Sequence, residues 1–310
     1  MDAAAIDQLR LNFNPQGLLA LNAVIGLMMF GMALDIKTED FKRIFRAPKA
    51  PVIGLLTQFI LLPAFTFLLT LIMRPMIPTP SMALGMILIA ACPGGNLSNV
   101  ITYLARGNTA VSVSMTAISS AAAIIMTPLN LHIWGSLNSV TAPILKQVHL
   151  EPFQVFQTIF IILGIPLAAG ILVSRIWPNF VEKIRKPFKI VSVVIFCGVV
   201  LSALGANWHN FLQAIGLVVF AVFIHNALAL SLGYSSGRIS KLSSRDVRAV
   251  TIEVGIQNSA LGLTLIFNFF GGLGGMAIIG GWWGIWHIIS GLTVAFFWSH
   301  TKLNDQANTQ

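Results

Sequence analysis

The stretch Cys92-Pro93-Gly94-Gly95-Asn96-Leu97-Ser98-Asn99 lies in the middle of a long apolar segment, residues 81–104. Proline lacks the N–H of the helical hydrogen bond and clashes with the preceding turn, and glycine weakens a helix further, so this stretch predicts a broken helix. A second polar stretch, Glu253-Val254-Gly255-Ile256-Gln257-Asn258-Ser259, interrupts the apolar segment 248–270. For Pro93 the alternative is a plain proline kink, but the polar residues that follow it favour a functional break.

The rest of the sequence is that of an integral membrane protein. Of its 310 residues, 56% are hydrophobic and 9% are charged, and the mean hydropathy is +0.82. This composition excludes a water-soluble domain. About 20 apolar residues cross a bilayer, and in lipid a helix satisfies its backbone internally, so the chain is predicted to be an all-α polytopic membrane protein of about nine transmembrane helices. The apolar stretches are approximately 17–34, 51–73, 81–104, 109–134, 153–173, 188–206, 211–232, 248–270 and 276–299.

The distribution of cations predicts the orientation. All but Arg10, Arg74 and Lys146 of the 19 Lys and Arg residues fall on one predicted face. By the positive-inside rule that face is cytoplasmic, which places the N-terminus outside and the C-terminus inside. The net charge of +9 therefore reflects topology, and no nucleic-acid partner is predicted.

The order of the stretches predicts an inverted repeat. Under this topology the third and eighth stretches, which carry the two breaks, run in opposite directions. Pairing stretch 1 with 6, 2 with 7, 3 with 8 and 4 with 9 makes every pair antiparallel and leaves the fifth without a counterpart. Two crossing discontinuous helices in corresponding positions of inverted halves are typical of the binding site of a secondary transporter.

Glu253 is the sole acidic residue that lies within an apolar stretch; the others of the ten fall in termini, loops or helix ends. A charged side chain there costs about 2.5–3.5 kcal/mol by insertion scales and needs a partner. A bound cation or a proton is the simplest partner, and the structural alternative is a protonated glutamic acid held by packing. Sodium prefers several oxygen ligands, which Glu253, Gln257, Asn99 and Ser98 provide.

Three further polar side chains are weaker candidates for the same region. Ser112 and Thr116 lie one turn apart on the fourth stretch, so their hydroxyls point the same way, although such pairs often bond to their own backbone. Gln58 is the sole large amide of the second stretch, and an interhelical hydrogen bond is its alternative role. His225 and Asn226 in the seventh stretch are polar as well and receive no assignment.

The breaks also create half-helix N-termini, whose positive dipole ends suit an anionic group such as a carboxylate. Asn96 and Asn258 stand where these half-helices begin. His287 in the ninth stretch lines the substrate cavity or bonds to a neighbour. Because an intramembrane enzyme needs an Asp-rich metal cluster, a Ser/His pair or an Asp pair in the spans, and none is evident, the protein is not predicted to be an enzyme. A passive channel or a receptor stays open as an alternative.

Four motifs closely resemble the bile acid:sodium symporter family, in particular its bacterial members. They are 29–34 (MFGMAL), 92–99 (CPGGNLSN), 103–108 (YLARGN) and 253–259 (EVGIQNS). The resemblance runs from about Leu18 to the end of the ninth stretch. It implies a panel domain of spans 1, 5 and 6 (17–36 and 153–206), which moves relative to a core domain of spans 2–4 and 7–9 (51–134 and 210–299).

The resemblance also implies two Na+ ions and a substrate site. The first ion falls on Ser98, Asn99, Ser112, Thr116 and Glu253. The second falls on Gln58, Glu253, Gln257 and the carbonyls of Val254 and Ile256. The predicted substrate residues are Asn96, Asn258, Ser259 and His287, although Asn96 stands where many members of the family have Thr.

The expected function is sodium-coupled symport of an organic anion by alternating access. The substrate is a carboxylate or sulfonate, bile-acid-like or smaller, and the protein is expected to be a multi-pass monomer among the lipids of the inner (cytoplasmic) membrane. The near alternative is a proton-coupled organic anion carrier that uses Glu253.

Overall fold

The computed structural model describes residues 15–34, 47–75, 79–95, 97–148, 151–206 and 208–301, and within these ranges the chain is all-helical. Two of its helices contain a π-helical turn. The helices, numbered in chain order, are α1 (Pro15–Ala33), α2 (Lys49–Leu56, a π turn at Thr57–Leu61, and Leu62–Ile72), α3 (Pro80–Ala91), α4 (Leu97–Leu104), α5 (Thr109–Leu137), α6 (Ala142–Gln147), α7 (Pro152–Ile159, a π turn at Phe160–Gly164, and Ile165–Ile176), α8 (Pro178–Ala206), α9 (Trp208–Ile239), α10 (Ser244–Gly255), α11 (Ser259–Phe269) and α12 (Gly274–His300).

The helices are those of an integral membrane protein. Within the described ranges, five are long and apolar enough to cross a membrane: Lys49–Ile72, Thr109–Leu137, Phe153–Ile176, Val218–Ile239 and Gly274–His300. Large apolar side chains remain exposed on their outer surfaces. In water such surfaces are unfavourable, whereas hydrocarbon chains of a bilayer cover them without cost.

Both predicted breaks are confirmed. Helix α3 ends at Ala91 and α4 begins at Leu97, whereas α10 ends at Gly255 and α11 begins at Ser259. Each break therefore divides one predicted apolar stretch into two half-helices. The first half-helix of each pair leads into the protein interior, and its end must find partners outside its own helix.

The π turn in α2 was not predicted from the sequence. It covers Thr57–Leu61 and precedes Pro63. Because Pro63 has no N–H, the carbonyl of Phe59 lacks its helical donor, and Nδ2 of Asn130 on α5 donates to it at 3.0 Å. The turn changes the phase of the helix just where Gln58 must reach the first break.

Glycines allow close packing within two groups of helices. In the first group, α1, α7 and α8, a Cβ on Gly170 would lie 2.7 Å from the carbonyl oxygen of Phe30. In the second group, which includes the broken helices, a Cβ on Gly85 would lie 2.9 Å from the Cα of Met276. Such contacts leave no space for a side chain, so the helices within each group are held in one register.

An apolar cluster and a pair of amides join the two groups. One apolar cluster joins Ile25 of α1 and Ile159 of α7 to Leu131 of α5 and Phe267 of α11. In the same region the amides of Asn22 and Asn268 form two reciprocal hydrogen bonds. The two apolar clusters around α10 contain, among the described residues, none from α1, α7 or α8.

Candidate ion and substrate site

The two breaks cross and pair through their backbones. The N–H of Gly95 donates to the carbonyl of Ile256 at 2.6 Å, and the N–H of Asn258 donates to the carbonyl of Pro93 at 2.9 Å. A Cβ on Gly95 would lie 2.8 Å from the carbonyl oxygen of Gln257, so a side chain at this position would push the two segments apart. Glycine is therefore required here for close approach as well as for breaking the helix.

Side chains from other helices bond to the carbonyls at the ends of α3 and α10. Thr127 Oγ1 donates to Ala91 O at 2.8 Å, and Asn226 Nδ2 donates to Gly255 O at 2.8 Å. Sequence reasoning missed both donors. The one signal for them was a polar side chain inside an apolar stretch, which does not by itself identify a partner.

The carboxylate of Glu253 is buried between α4 and α5. Its Oε2 accepts hydrogen bonds from Ser98 Oγ at 2.5 Å and Ser112 Oγ at 3.0 Å, and its Oε1 accepts one from Thr116 Oγ1 at 2.6 Å. The side chain is 1% exposed. Hydrogen bonds to a charged group are stronger than those between neutral groups. The three hydroxyl donors therefore stabilise the ionised form of the Glu253 side chain.

Asn99 completes the first set of predicted ion ligands. Its Oδ1 lies 2.8 Å from Ser112 Oγ and 3.3 Å from Thr116 Oγ1, within reach of the same two hydroxyls. The structure therefore brings Ser98, Asn99, Ser112, Thr116 and Glu253 together. Thr116 Oγ1 also lies 3.0 Å from the carbonyl of Ser112, so the backbone contact given above as an alternative exists beside the side-chain contacts.

The second set of predicted ligands also converges. Gln58 Nε2 lies 2.7 Å from Gln257 Oε1, and it donates to the carbonyl of Cys92 at 2.9 Å. Gln257 Nε2 in turn donates to the carbonyl of Val254 at 2.6 Å. Both glutamine side chains are buried, and the carbonyl of Ile256 faces Gly95 across the crossing.

Arg248 is buried at the start of the eighth apolar stretch. Its Nη1 donates to the carbonyls of Ala105 at 2.7 Å and Trp298 at 2.8 Å, at the ends of α4 and α12. The guanidinium also lies 5.6 Å from the centre of the Trp298 ring. Arg248 therefore ties α10 to the ends of two other helices, a role that the sequence did not indicate.

The predicted substrate residues are placed less completely, since Asn96 lies outside the described residues. Asn258 caps α11, because its Oδ1 accepts a hydrogen bond from the N–H of Leu261 at 3.0 Å. Ser259 packs against α12, where a Cβ on Gly284 would lie 2.9 Å from its hydroxyl oxygen. His287 follows Gly284 by one turn on the same face of α12.

Two of these substrate candidates carry buried polar atoms that lack a hydrogen-bond partner. Among the described residues, Nδ2 of Asn258 and Nδ1 of His287 are buried without a hydrogen-bond partner. A buried donor or acceptor without a partner is costly, so these atoms fit a ligand that completes their hydrogen bonds.

The donor atoms of the two ion-ligand sets are carboxylate, hydroxyl, amide and carbonyl oxygens. Such oxygen atoms are the ligands that hard cations prefer, whereas softer metals favour thiolates and imidazoles. The arrangement around Glu253 therefore fits a hard cation.

The model of the Sodium Bile acid symporter family matches residues 23–214. The chain belongs to this family. The region of the chain that matches the Sodium Bile acid symporter family includes α2 to α5. It therefore contains the first broken helix and the predicted ligands Gln58, Ser98 and Thr116. The resemblance inferred from the motifs is thereby confirmed.

Relatives of the family are found in bacteria, plants and animals. The "Uncharacterized sodium-dependent transporter YocS" of Bacillus subtilis (strain 168) is 33% identical over 92% of this chain and 85% of its own length. The "Probable sodium/metabolite cotransporter BASS1, chloroplastic" of Arabidopsis thaliana is 32% identical over 80% of this chain and 59% of its own length. The "P3 protein" of Homo sapiens is 31% identical over 76% of this chain and 48% of its own length.

The Bacillus relative covers so much of the chain that its similarity includes the second broken helix with Glu253 as well. The family and the relatives named for sodium are transporters, which agrees with the absence of enzyme motifs noted in the sequence.

Proposed function

We propose that this protein is a secondary active transporter that couples sodium entry to uptake of a small organic anion by alternating access. One observation carries the proposal. The buried carboxylate of Glu253 accepts hydrogen bonds from hydroxyls of two other helices, beside the crossing of the two broken helices. Membership of the Sodium Bile acid symporter family and the names of two relatives support sodium as the coupling ion.

Two sodium ions bind, and Glu253 is shared between them. The first ion is held by the oxygens of Ser98, Asn99, Ser112 and Thr116 together with this carboxylate. The second is held by Gln58, Gln257, Glu253 and the carbonyls of Val254 and Ile256. The convergence of each set supports this assignment, and the charge of one bound ion offsets the buried carboxylate.

The substrate is an organic anion, a carboxylate or a sulfonate, bile-acid-like or smaller. Its charged group lies near the N-terminus of α11, where the helix dipole favours a negative charge. The amide of Asn258 and the imidazole of His287 complete the polar contacts, and Ser259 and Asn96 are the remaining proposed substrate residues. This assignment is supported by the unpartnered buried atoms of Asn258 and His287.

Alternating access moves the group α1, α7 and α8, the panel domain (17–36 and 153–206), against the core domain (51–134 and 210–299). The close glycine contacts within each group favour rigid-body motion. The chain crosses the membrane about nine times as an inverted repeat, with the N-terminus outside. In this proposed orientation Asn22 and Asn268 lie toward the outer face, so the contact between their amides closes the outer side of the site.

The protein acts as a monomer in the inner (cytoplasmic) membrane and is not an enzyme. Its multi-pass character is supported by the five long apolar helices, and the cationic loops of the sequence support the inward orientation of the C-terminus.

The proposal is tested by transport into proteoliposomes. A thermal-stability screen of small carboxylates and sulfonates, in sodium chloride and in choline chloride, first identifies a substrate. Uptake of the labelled substrate is then measured with an inward sodium gradient, for the wild type, for Glu253→Gln and for a control, Glu182→Gln, whose side chain is exposed on α8.

Uptake by the wild type and by Glu182→Gln is expected to depend on the sodium gradient, and uptake by Glu253→Gln is expected to fall to the level of empty liposomes. Uptake that ignores sodium but follows a proton gradient at fixed sodium would support the proton-coupled alternative. Uptake that ignores both gradients would exclude a coupled carrier.

A further inference from the structure

The last carbonyl of α10 is bonded to a side chain of α9. Nδ2 of Asn226 donates to the carbonyl of Gly255 at 2.8 Å, and the Asn226 side chain is buried. The final carbonyls of a helix have no donor within that helix. Asn226 therefore supplies a partner that the break in the eighth apolar stretch removes.

This hydrogen bond fixes one peptide group at both ends. The N–H of Ile256 donates to the carbonyl of Ile252 at 2.9 Å, while the carbonyl of Gly255 accepts from Asn226. Because a peptide group is planar, two hydrogen bonds at opposite ends determine its orientation. The carbonyls on either side of this group, those of Val254 and Ile256, are the ones assigned to the second sodium ion.

The first break is supported by an amide in the same way. Gln58 on α2 donates to the carbonyl of Cys92, the first residue after α3, at 2.9 Å. In the proposed repeat, stretch 2 corresponds to 7 and stretch 3 corresponds to 8, so Gln58 and Asn226 belong to equivalent helices. Each amide therefore supports the carbonyl end of the half-helix that leads into its break.

The packing of α9 on α10 holds Asn226 in register with Gly255. A Cβ on Gly233 would lie 2.8 Å from the Cα of Thr251, which shows that the two backbones touch. Leu230 lies one turn after Asn226 and packs against Gly255. A Cβ on Gly255 would lie 2.8 Å from the Cγ of Leu230. The amide is thus delivered by a helix that has little freedom to shift.

We propose that Asn226 is a positioning residue for the second sodium ion. It orients the 255–256 peptide and thereby directs the carbonyls of Val254 and Ile256 to the ion, without contacting the ion itself. This inference rests on the proposed sodium-coupled function.

The test is a sodium titration of the purified chain in detergent, with sodium chloride replacing choline chloride at constant ionic strength. The unfolding temperature is measured at each sodium concentration and gives the half-saturating concentration. Asn226→Leu removes the donor and nearly retains the volume, whereas Asn226→Gln retains an amide. The control is Asn138→Leu, since Asn138 is equally buried and donates to Thr70 Oγ1 at 3.1 Å, outside the crossing.

Asn226→Leu is expected to raise the half-saturating sodium concentration about tenfold, the equivalent of one hydrogen bond, and to lower the steepness of the titration. Asn226→Gln is expected to restore part of the sodium affinity. Asn138→Leu is expected to lower the unfolding temperature in choline chloride without changing the half-saturating sodium concentration.

An unchanged titration for folded Asn226→Leu would overturn the positioning role while leaving the proposed function intact. An equal shift for Asn138→Leu would do the same, because it would indicate general loosening. A wild type without any sodium response would overturn the proposed function and this inference with it. If Asn226→Leu does not fold, Asn226→Ala is titrated in its place and judged by the same outcomes.

Discussion

Replacing Glu253 by Gln removes a charge and almost no volume, so it separates sodium binding from folding. The oxygens of Ser98 and Thr116 lie 2.5 and 2.6 Å from the carboxylate, so a cation among these oxygens is within about 4 Å of its charge. At that distance, with an effective dielectric constant of 20, a unit charge contributes about 4 kcal/mol. The loss of this attraction corresponds to roughly a thousandfold weaker sodium binding.

Without sodium, the same substitution is expected to have no destabilising effect on the folded protein. A buried carboxylate costs free energy through desolvation, and the amide of Gln is neutral and still bonds to the hydroxyls around it. We therefore expect the unfolding temperature of Glu253→Gln in choline chloride to equal or exceed that of the wild type.

Thermal unfolding followed by tryptophan fluorescence measures both effects, because the chain has seven tryptophans. A sodium concentration of 100 times Kd stabilises the wild type by about 2.7 kcal/mol, which raises its unfolding temperature by several degrees. Glu253→Gln should show no such rise, and exposed Glu182→Gln should match the wild type. A sodium-dependent rise that persists in Glu253→Gln would refute the assignment of this carboxylate to the ion.

Three further predictions test the crossing, the contact between helix groups and the first ion. Gly95→Ala places a Cβ 2.8 Å from the carbonyl oxygen of Gln257 across the crossing and should destabilise the folded protein by about 1–3 kcal/mol, as measured by thermal unfolding. Gly198→Ala is the control, because its Cβ would have no atom within 4 Å, and it should not destabilise the protein. Asn22→Leu or Asn268→Leu removes the amide pair between α1 and α11 and should increase labelling, from outside, of a cysteine introduced beside the pair. Thr116→Val keeps the shape of the side chain but removes one oxygen ligand, and should weaken sodium binding about tenfold in the same titration.

Each of these predictions has a clear contrary result. Equal stability of Gly95→Ala and the wild type would show that the segments are not closely paired. Unchanged labelling of both asparagine variants would show that the amide pair does not hold the two helix groups together. Wild-type sodium affinity in Thr116→Val would remove this hydroxyl from the first set of ligands.

The breaks and the Glu253 cluster could be predicted from the sequence because their signals are local. Proline and adjacent glycines break a helix wherever they occur, and a lone carboxylate in an apolar stretch needs a partner in any fold. The division of these ligands into two sets came from the family resemblance, and the structure brings Ser112 close to Asn99 in the first set and Gln58 close to Gln257 in the second.

The supporting contacts could not be predicted because they depend on how helices pack. The π turn at Thr57–Leu61 sets the direction of Gln58, and nothing in its apolar sequence requires that turn. Asn226 donates to a carbonyl 29 residues away along the chain. Arg248 donates to carbonyls at the ends of α4 and α12. Their partners follow from tertiary contacts and not from spacing along the chain.

The number of sodium ions bound per chain, counted with radioactive sodium by equilibrium dialysis of purified protein, tests whether two ions share Glu253. The wild type is predicted to bind two ions and Glu253→Gln none, because both sets of ligands share this carboxylate. Equal amounts of sodium on the two proteins, or no sodium on the wild type, would contradict the account.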